Sequence, residues 1–281
     1  MKRFQVILQA ATPISHGDTV TGIDNQTNTR LFMRQQMLVN GISARVPAVS
    51  ENSLRSTIWR EPLADSLVPS LGMKSEELPE SVMNLLYAGG NLGAGAKAPA
   101  QEQALGKQVR DLYPTLDLLG GSVDSFILPR SALRVAAWLV ADEYAGILQH
   151  ISPELADEAR GVSAFDLLGE ETRTRGTGSH ASGNQMLYTY ETLAAGSKIL
   201  IEVTIDSNVS DATIAAAAHA FDCWDGYIGG QGRQGRGRMN VLSHNIPSSD
   251  AYLEHVKSYG EAMKNGLIDG TLGTGVELCK A

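Results

Sequence analysis

Gly229-Gly230-Gln231-Gly232-Arg233-Gln234-Gly235-Arg236-Gly237-Arg238 lies between a helical run, residues 211–223, and an extended one, Met239-Asn240-Val241-Leu242. Five glycines and three arginines share these ten residues, with no acid among them. Glycine admits φ > 0 and lets another molecule approach the backbone closely. Arginine presents a planar fork of donors that suits phosphate. The stretch reads two ways: as a surface that grips a polyanion, or as a turn carrying solvated arginines. Its position is informative in either case. It joins a helix to a strand, so the last third of the chain reads strand, helix, strand.

Just upstream, residues 198–206 (Lys-Ile-Leu-Ile-Glu-Val-Thr-Ile-Asp) form the clearest strand pattern in the chain. Ser210 or Asp211 caps the helix that follows. Residues 186–192 alternate as another strand, and Gly196 makes the turn between the two. Before them, residues 172–184 are polar and glycine-rich and read as a mobile loop or the tip of a long hairpin. Arg173, Arg175 and His180 lie there, placed to meet a nucleic acid or simply solvated.

At the other end of the chain, residues 3–10 predict a strand and residues 11–30 a loop by turn chemistry, with His16-Gly17-Asp18 and Gly22-Ile23-Asp24-Asn25 inside it. Residues 31–39 fit strand or helix on periodicity alone. Val46-Pro47-Ala48-Val49 is extended by its proline. Ser50 then caps a helix whose apolar face is Leu54, Ile58 and Leu63. Asn52, Ser53 and Arg55 fall in its first turn, where free N–H groups and the helix dipole favour an anion. The plainer reading is an ordinary cap with a surface arginine.

In the middle, residues 81–88 predict a helix that stops at Gly89-Gly90, residues 91–100 a loop, and residues 101–112 a helix ending before Pro114. Residues 126–128 look like a strand, residues 132–148 like a strand pair or a helix, and residues 153–160 are acidic and exposed. Residues 250–265 predict a last helix, followed by a loosely held tail from Gly270. No repeat and no long linker divides residues 1–281. The order strand, helix, strands, helix, strand suits a single α+β domain resembling an RNA-recognition (ferredoxin-like) fold with large insertions.

Composition sets the bounds. With 43% hydrophobic residues among 281, the chain can fill a sizeable core. No apolar run reaches the roughly 18 residues of a membrane span, and residues 1–6 do not read as a signal peptide. A cytoplasmic protein with no membrane partner is the expectation. Cys223 and Cys279 make neither a disulfide framework nor a metal site; Cys223, in an apolar run, reads as a core residue. The net charge of −8 is unevenly spread. Residues 25–60 hold five arginines and one acid, whereas residues 142–171 hold eight acids and one arginine. Positive charge is therefore local, as in a groove or on a solvated face. A nucleotide-hydrolysing loop is excluded, because no Lys-Ser/Thr pair follows the glycines.

Three segments in this order resemble a known family. They are the strand and loop ending in His16-Gly17-Asp18; the run Val46-Pro47-Ala48-Val49-Ser50-Glu51-Asn52-Ser53-Leu54-Arg55, similar to an I-P-G-S-S-L-K/R-G helix start; and residues 229–238, similar to a G-G-x-x-x-x-G-x-G-R loop. This is the pattern of the RAMP superfamily of CRISPR-associated proteins. Within it the chain most resembles the Cas seven backbone subunits, those of type IV first and those of type I-D or type III second. The resemblance implies a palm built on a modified RNA-recognition fold, a helical finger insertion (residues 61–122) and a thumb hairpin (residues 163–190). It implies a crRNA-binding subunit that polymerises with copies of itself along the guide, beside other CRISPR effector subunits and the target nucleic acid, in a ribonucleoprotein for antiviral defense. By match of motif, Asn52, Ser53, Arg55, Gly229, Gly230, Gly232, Arg233 and Arg236 contact guide phosphates, Arg173 and Arg175 belong to the thumb, and Met186 wedges between bases. A guide of arbitrary sequence must be held without reading its bases, which calls for donors on phosphate rather than on base edges.

The resemblance also carries an alternative. Gly22-Ile23-Asp24-Asn25 is similar to the loop of type III backbone subunits whose aspartate cuts target RNA, and Asp24 is the matching position. Such chemistry needs a carboxylate beside the scissile phosphate with a metal ion and an aligned 2′-OH. The residues after Asp24, Gln26-Thr27-Asn28-Thr29, depart from the proline and short apolar run usual there. An aspartate in a turn is also common for local reasons. The pair His16 and Asp18 is too small a ligand set for a metal. The expectation is a chain that holds RNA without cutting it, with no cofactor and no resident metal.

Overall fold

The computed structural model describes residues 1–17, 29–90, 102–123, 126–127, 131–175 and 186–273. In chain order the elements are β1 (Lys2–Ala10), β2 (Thr29–Arg30), β3 (Arg34–Val39), β4 (Ile42–Pro47), α1 (Glu51–Leu54), α2 (Glu61–Ser70), α3 (Glu80–Ala88), α4 (Glu102–Leu112), α5 (Pro114–Leu119), β5 (Ser122–Val123), β6 (Phe126–Ile127), β7 (Leu133–Leu139), α6 (Ala145–Ile151), α7 (Pro153–Ala159), β8 (Leu168–Arg175), β9 (Met186–Leu193), β10 (Lys198–Ile205), α8 (Asp211–Cys223), β11 (Met239–His244) and α9 (Asp250–Ile268). The central sheet has the order β11-β1-β10-β7, with every neighbouring pair antiparallel. Strand, helix, two strands, helix, strand in this order is the ferredoxin-like arrangement expected from the sequence.

Alternation sets the two faces of the sheet. Phe4, Val6 and Leu8 of β1 stand opposite Val203, Ile201 and Ile199 of β10, and these opposite Val135, Ala137 and Leu139 of β7. This face is covered by helices. The inner one is α8, whose buried Ala215, Ala216, Ala217, Ala218 and Ala220 let neighbouring backbones come close. An apolar surface on all sides marks an enclosed helix. The outer one is α9, which lays Tyr252, Val256, Met263 and Leu267 over it. Helices α2 and α5, from the expected finger region, pack on α8 as well and share its core.

The opposite face carries Gln5, Ile7, Leu200 and Trp138. It is covered in part. Leu200 is fully buried, and Gln5 donates from Nε2 to the Ile151 carbonyl at 3.4 Å, which places the end of α6 across the sheet. RNA-recognition domains stack bases on this face; here Gln5, Ile7 and Trp138 are half-buried and the end of α6 crosses part of it.

Several segments resolve differently from the sequence reading. Residues 31–39, open between strand and helix, are strand. They pair with β4 through an Asn40-Gly41 turn in which both residues have positive φ, 51° and 80°. Asn-Gly between alternating residues is the strongest short-range hairpin signal, and the alternation outside it was too imperfect to show it. Residues 132–148 are neither a strand pair nor a helix but β7 followed by the start of α6. Residues 153–160, expected to be exposed, form α7 and bury Leu155, Ala156 and Ala159. Cys223 is exposed at the end of α8 rather than in the core, because it and Asp222 lie past the enclosed stretch of the helix.

Between α1 and α2 the helix widens to a π-turn over Arg55–Arg60, with the Glu61 N–H reaching the Ser56 carbonyl. Pro62 follows at once. A proline has no N–H and would clash with the carbonyl four residues back, and the wider turn relieves both. The π-turn delivers Arg60 into the interior. Its guanidinium, 7% exposed, donates to the carbonyls of Leu85 and Leu86 near the end of α3 and of Leu119 and Gly120 at the end of α5. Two helix C-termini are thus capped by one cation, which their dipoles favour. Burial first, and the neighbouring Arg55 charge second, lower its pKa to about 10, so it stays charged at neutral pH. Arg60→Met leaves these carbonyls without a donor and is expected to lower stability by about 3 kcal/mol. Arg160→Met, removing an exposed pair with Asp157, is expected to cost under about 0.5 kcal/mol. Urea unfolding measures both.

Candidate nucleic-acid interface

The segments with motif character converge on residues 11–17, the chain leaving β1. Ala11 donates to the Arg238 carbonyl at 2.8 Å, and Pro13 accepts from the Gly237 N–H at 2.9 Å. Ile14 exchanges both backbone bonds with Leu193 at the base of β9, at 2.9 Å each. Ser15 accepts from the Gly230 N–H at 2.7 Å, and His16 accepts from the Met33 N–H at 2.7 Å. The His16 Nε2 accepts the Ser50 N–H at 3.1 Å, while the Ser50 hydroxyl caps the helix by accepting from Ser53. Glycine-rich loop, helix start and β8–β9 hairpin thus meet at the end of one strand.

The glycines of the loop are needed first for this docking. Gly229 has φ +75°, and a Cβ there would lie 2.5 Å from the Ser15 carbonyl oxygen. Gly237 has φ +75°, and its Cβ would lie 1.9 Å from the Ile228 oxygen. The N–H groups of Gly230, Gly235 and Gly237 all bond within the fold. Gly232 is exposed and opens a short 3-10 turn that carries Arg233.

The arginines divide by environment. Arg233 and Arg238 are exposed, as is Arg30 on β2, whose side chain lies over Gly17. Arg236 is buried and paired with Glu171 of β8. Arg55, expected on phosphate, turns inward and donates to the Leu119 carbonyl beside Arg60 at the helix ends. Asn52 is exposed beside the helix start, and the Ser53 N–H is engaged by the cap. The β8–β9 hairpin pairs in register from Leu168 with Leu193 to Arg175 with Met186. Arg173, Arg175 and Met186 lie in its strands; their side chains, residues 176–185, Asp18 and Asp24 are outside the described residues. At the hairpin base Glu191 pairs with Arg34 at 2.9 Å and accepts from the Phe32 N–H at 2.7 Å.

Arg30, Arg238, Glu171 and Glu191 were not singled out from the sequence. Arg238 fills the last position of the G-G-x-x-x-x-G-x-G-R pattern but was not among the expected phosphate contacts, and Glu171 and Glu191 acquire meaning only through pairing across distant segments. Among the described residues no His, Cys, Asp and Glu cluster could hold a metal, and no helix is long and apolar enough to cross a membrane. The arrangement offers exposed guanidinium groups around a rigid loop junction, chemistry suited to phosphate.

No family model matches the sequence, and no curated protein matches it. Among solved structures, the chain is similar to a chain of a Type IV-B CRISPR complex. The TM-score is 0.58 at 17% sequence identity, over 89% of this chain and 96% of that one. The likeness is one of fold, spanning nearly the whole of both chains.

Two outcomes test the junction. Gly237→Ala is expected to cost more than about 3 kcal/mol, whereas Gly235→Ala, at φ +78° but with nothing near its Cβ, costs about 1 kcal/mol; thermal melts separate them. Burial pushes the His16 pKa below its ordinary 6.5. Below that value the unfolded chain takes up the proton first, so stability falls as pH drops from about 6.5 and rises with pH across that window. His16→Gln is expected to flatten the slope without abolishing it, since burial also lowers the His219 pKa. Unfolding free energy measured from about pH 5 to 7 checks this.

Proposed function

We propose that this chain binds single-stranded guide RNA through its phosphates and is a backbone subunit of a CRISPR effector complex. The observation that carries the reading is the convergence on residues 11–17 of the glycine–arginine loop, the capped helix start and the β8–β9 hairpin. The fold shared with a chain of a Type IV-B CRISPR complex supports the setting. In this reading Arg233, Arg238 and Arg30 meet phosphates, Asn52 reaches the same strand, and the hairpin acts as the thumb, with Arg173, Arg175 and Met186 along it. The glycines 229, 230 and 232 let the backbone run close to the RNA. Copies of the chain stack along the guide as a filament, with other effector subunits at its ends and target nucleic acid paired to the exposed bases.

Phosphate contacts weaken alike for every sequence and are screened by salt. Arg233→Ala with Arg238→Ala is therefore expected to weaken binding roughly ten- to hundredfold for unrelated RNA sequences alike. It should also flatten the dependence on salt by about two phosphate contacts. Anisotropy titrations over a range of KCl concentrations measure both, and a loss confined to one sequence overturns the reading. The proposal takes the chain as a holder of RNA, not a nuclease. Assembled complex given matched RNA and Mg²⁺ is expected to leave it intact, and periodic cuts lost in Asp24→Ala would reverse that part.

A further inference from the structure

Two arginines of this fold are equally buried, and only one is satisfied. Arg60 and Arg236 are each 7% exposed. Arg60 has four carbonyl acceptors from two helix ends. Arg236 has one partner, the Glu171 carboxylate from another element, and its buried Nε has none among the described residues. A buried donor without an acceptor is costly and calls for an explanation; the Nε groups of Arg55 and Arg134 are orphaned among the described residues too, but neither of those arginines sits in the glycine-rich loop.

The two carboxylates of the hairpin differ in the same way. Glu191 is fully engaged, one oxygen on Arg34 and the other on the Phe32 N–H, and its side chain is 14% exposed. Glu171, on the neighbouring strand, is 35% exposed, so water and anions reach its pair with Arg236. The first holds the hairpin to the sheet domain. The second is an internal anion placed on an arginine of the glycine-rich loop.

We propose that Glu171 is a specificity-determining residue of the RNA groove: its carboxylate occupies Arg236 in the free chain, and a phosphate replaces it only when the same strand is also held at Arg233 and Arg238. The inference rests on the groove reading above. Its consequence is selection by length. A short oligonucleotide or a mononucleotide makes too few contacts to displace the carboxylate, whereas a long strand is already tethered by its neighbours and competes at high effective concentration. Displacement frees Glu171 as it anchors the loop, and no covalent step is involved.

The test uses full-length protein and fluorescein-labelled single-stranded RNAs of about six and about thirty nucleotides, bracketing the usual site sizes for single strands. Affinities are measured for the wild type, Glu171→Gln and Glu170→Gln over a range of KCl concentrations. Glu170 is the exposed neighbour on the same strand, so its variant removes an equal charge without touching Arg236. Glu171→Gln is expected to bind the short RNA about tenfold more tightly, with a salt slope steeper by about 0.7, one added phosphate contact. The long RNA should gain little, and Glu170→Gln should show no gain that depends on length. Equal gains for both lengths, an equal effect of Glu170→Gln, or no gain in Glu171→Gln overturns the proposal while leaving the groove reading intact. Failure of the wild type to bind the long RNA overturns the groove reading, and this one with it. Glu171→Asp keeps the charge on a shorter arm and is expected to give an intermediate gain. It supplies the same decision if Glu171→Gln melts at a markedly lower temperature.

Discussion

Seven residues leaving the central strand hold this molecule's working parts in place. Residues 11–17 receive or give backbone hydrogen bonds to the glycine-rich loop, to the base of the β8–β9 hairpin and to the entry of β3, and His16 holds the start of α1. The constraint is elementary. A loop at the end of an interior strand carries N–H and C=O groups that must be paired once they leave water. Four distant segments supply the partners. The glycine-rich loop, the hairpin base, the entry of β3 and the start of α1 each satisfy part of the hub, so moving any one of them leaves hub polar groups without their partners. That explains why glycine is required at 229 and 237, where a side chain would press on the hub or on its partner strand.

Charge is organised by the same contacts. Residues 25–60 looked like a basic face in the sequence, yet the structure splits their arginines between roles. Arg55 and Arg60 turn inward to cap helix ends, Arg34 ties the hairpin to the sheet through Glu191, and Arg30 remains at the surface. Only part of that positive charge is therefore free to meet an anion. The acidic segment is divided likewise. Glu171 faces Arg236, Glu158 pairs with Lys198 at 2.5 Å, and Glu143 accepts from Ser163 and the Ala164 N–H. Arg30, Arg233 and Arg238 stay exposed at the loop edge, and the proposed groove follows them.

The fold was largely legible because its signals are local. Alternation in residues 3–10 and 198–206, the serine caps at 50 and 210, and the helical run 211–223 all lie within short windows, and each became the element expected. Asn40-Gly41 was legible as well and was passed over. The candidate site was legible only as residue types. Gly and Arg in residues 229–238 announced an anion grip, but the burial of Arg236 depends on Glu171, 65 positions away in sequence. The inward turn of Arg55 depends on the Leu119 carbonyl, in α5.

By itself, the sequence determined the main strands and helices, their α+β order, and the concentration of guanidinium groups in a few segments. Periodicity, capping and turn chemistry act within a few residues, so they can be read from the chain alone. The tertiary structure decided which of those guanidinium groups face solvent, which cap helices and which are held by carboxylates. It also decided that α6 covers part of the sheet face and that the hub is the end of β1. These outcomes depend on pairing between segments far apart in the chain, where burial makes each polar group take whichever partner the fold brings within reach.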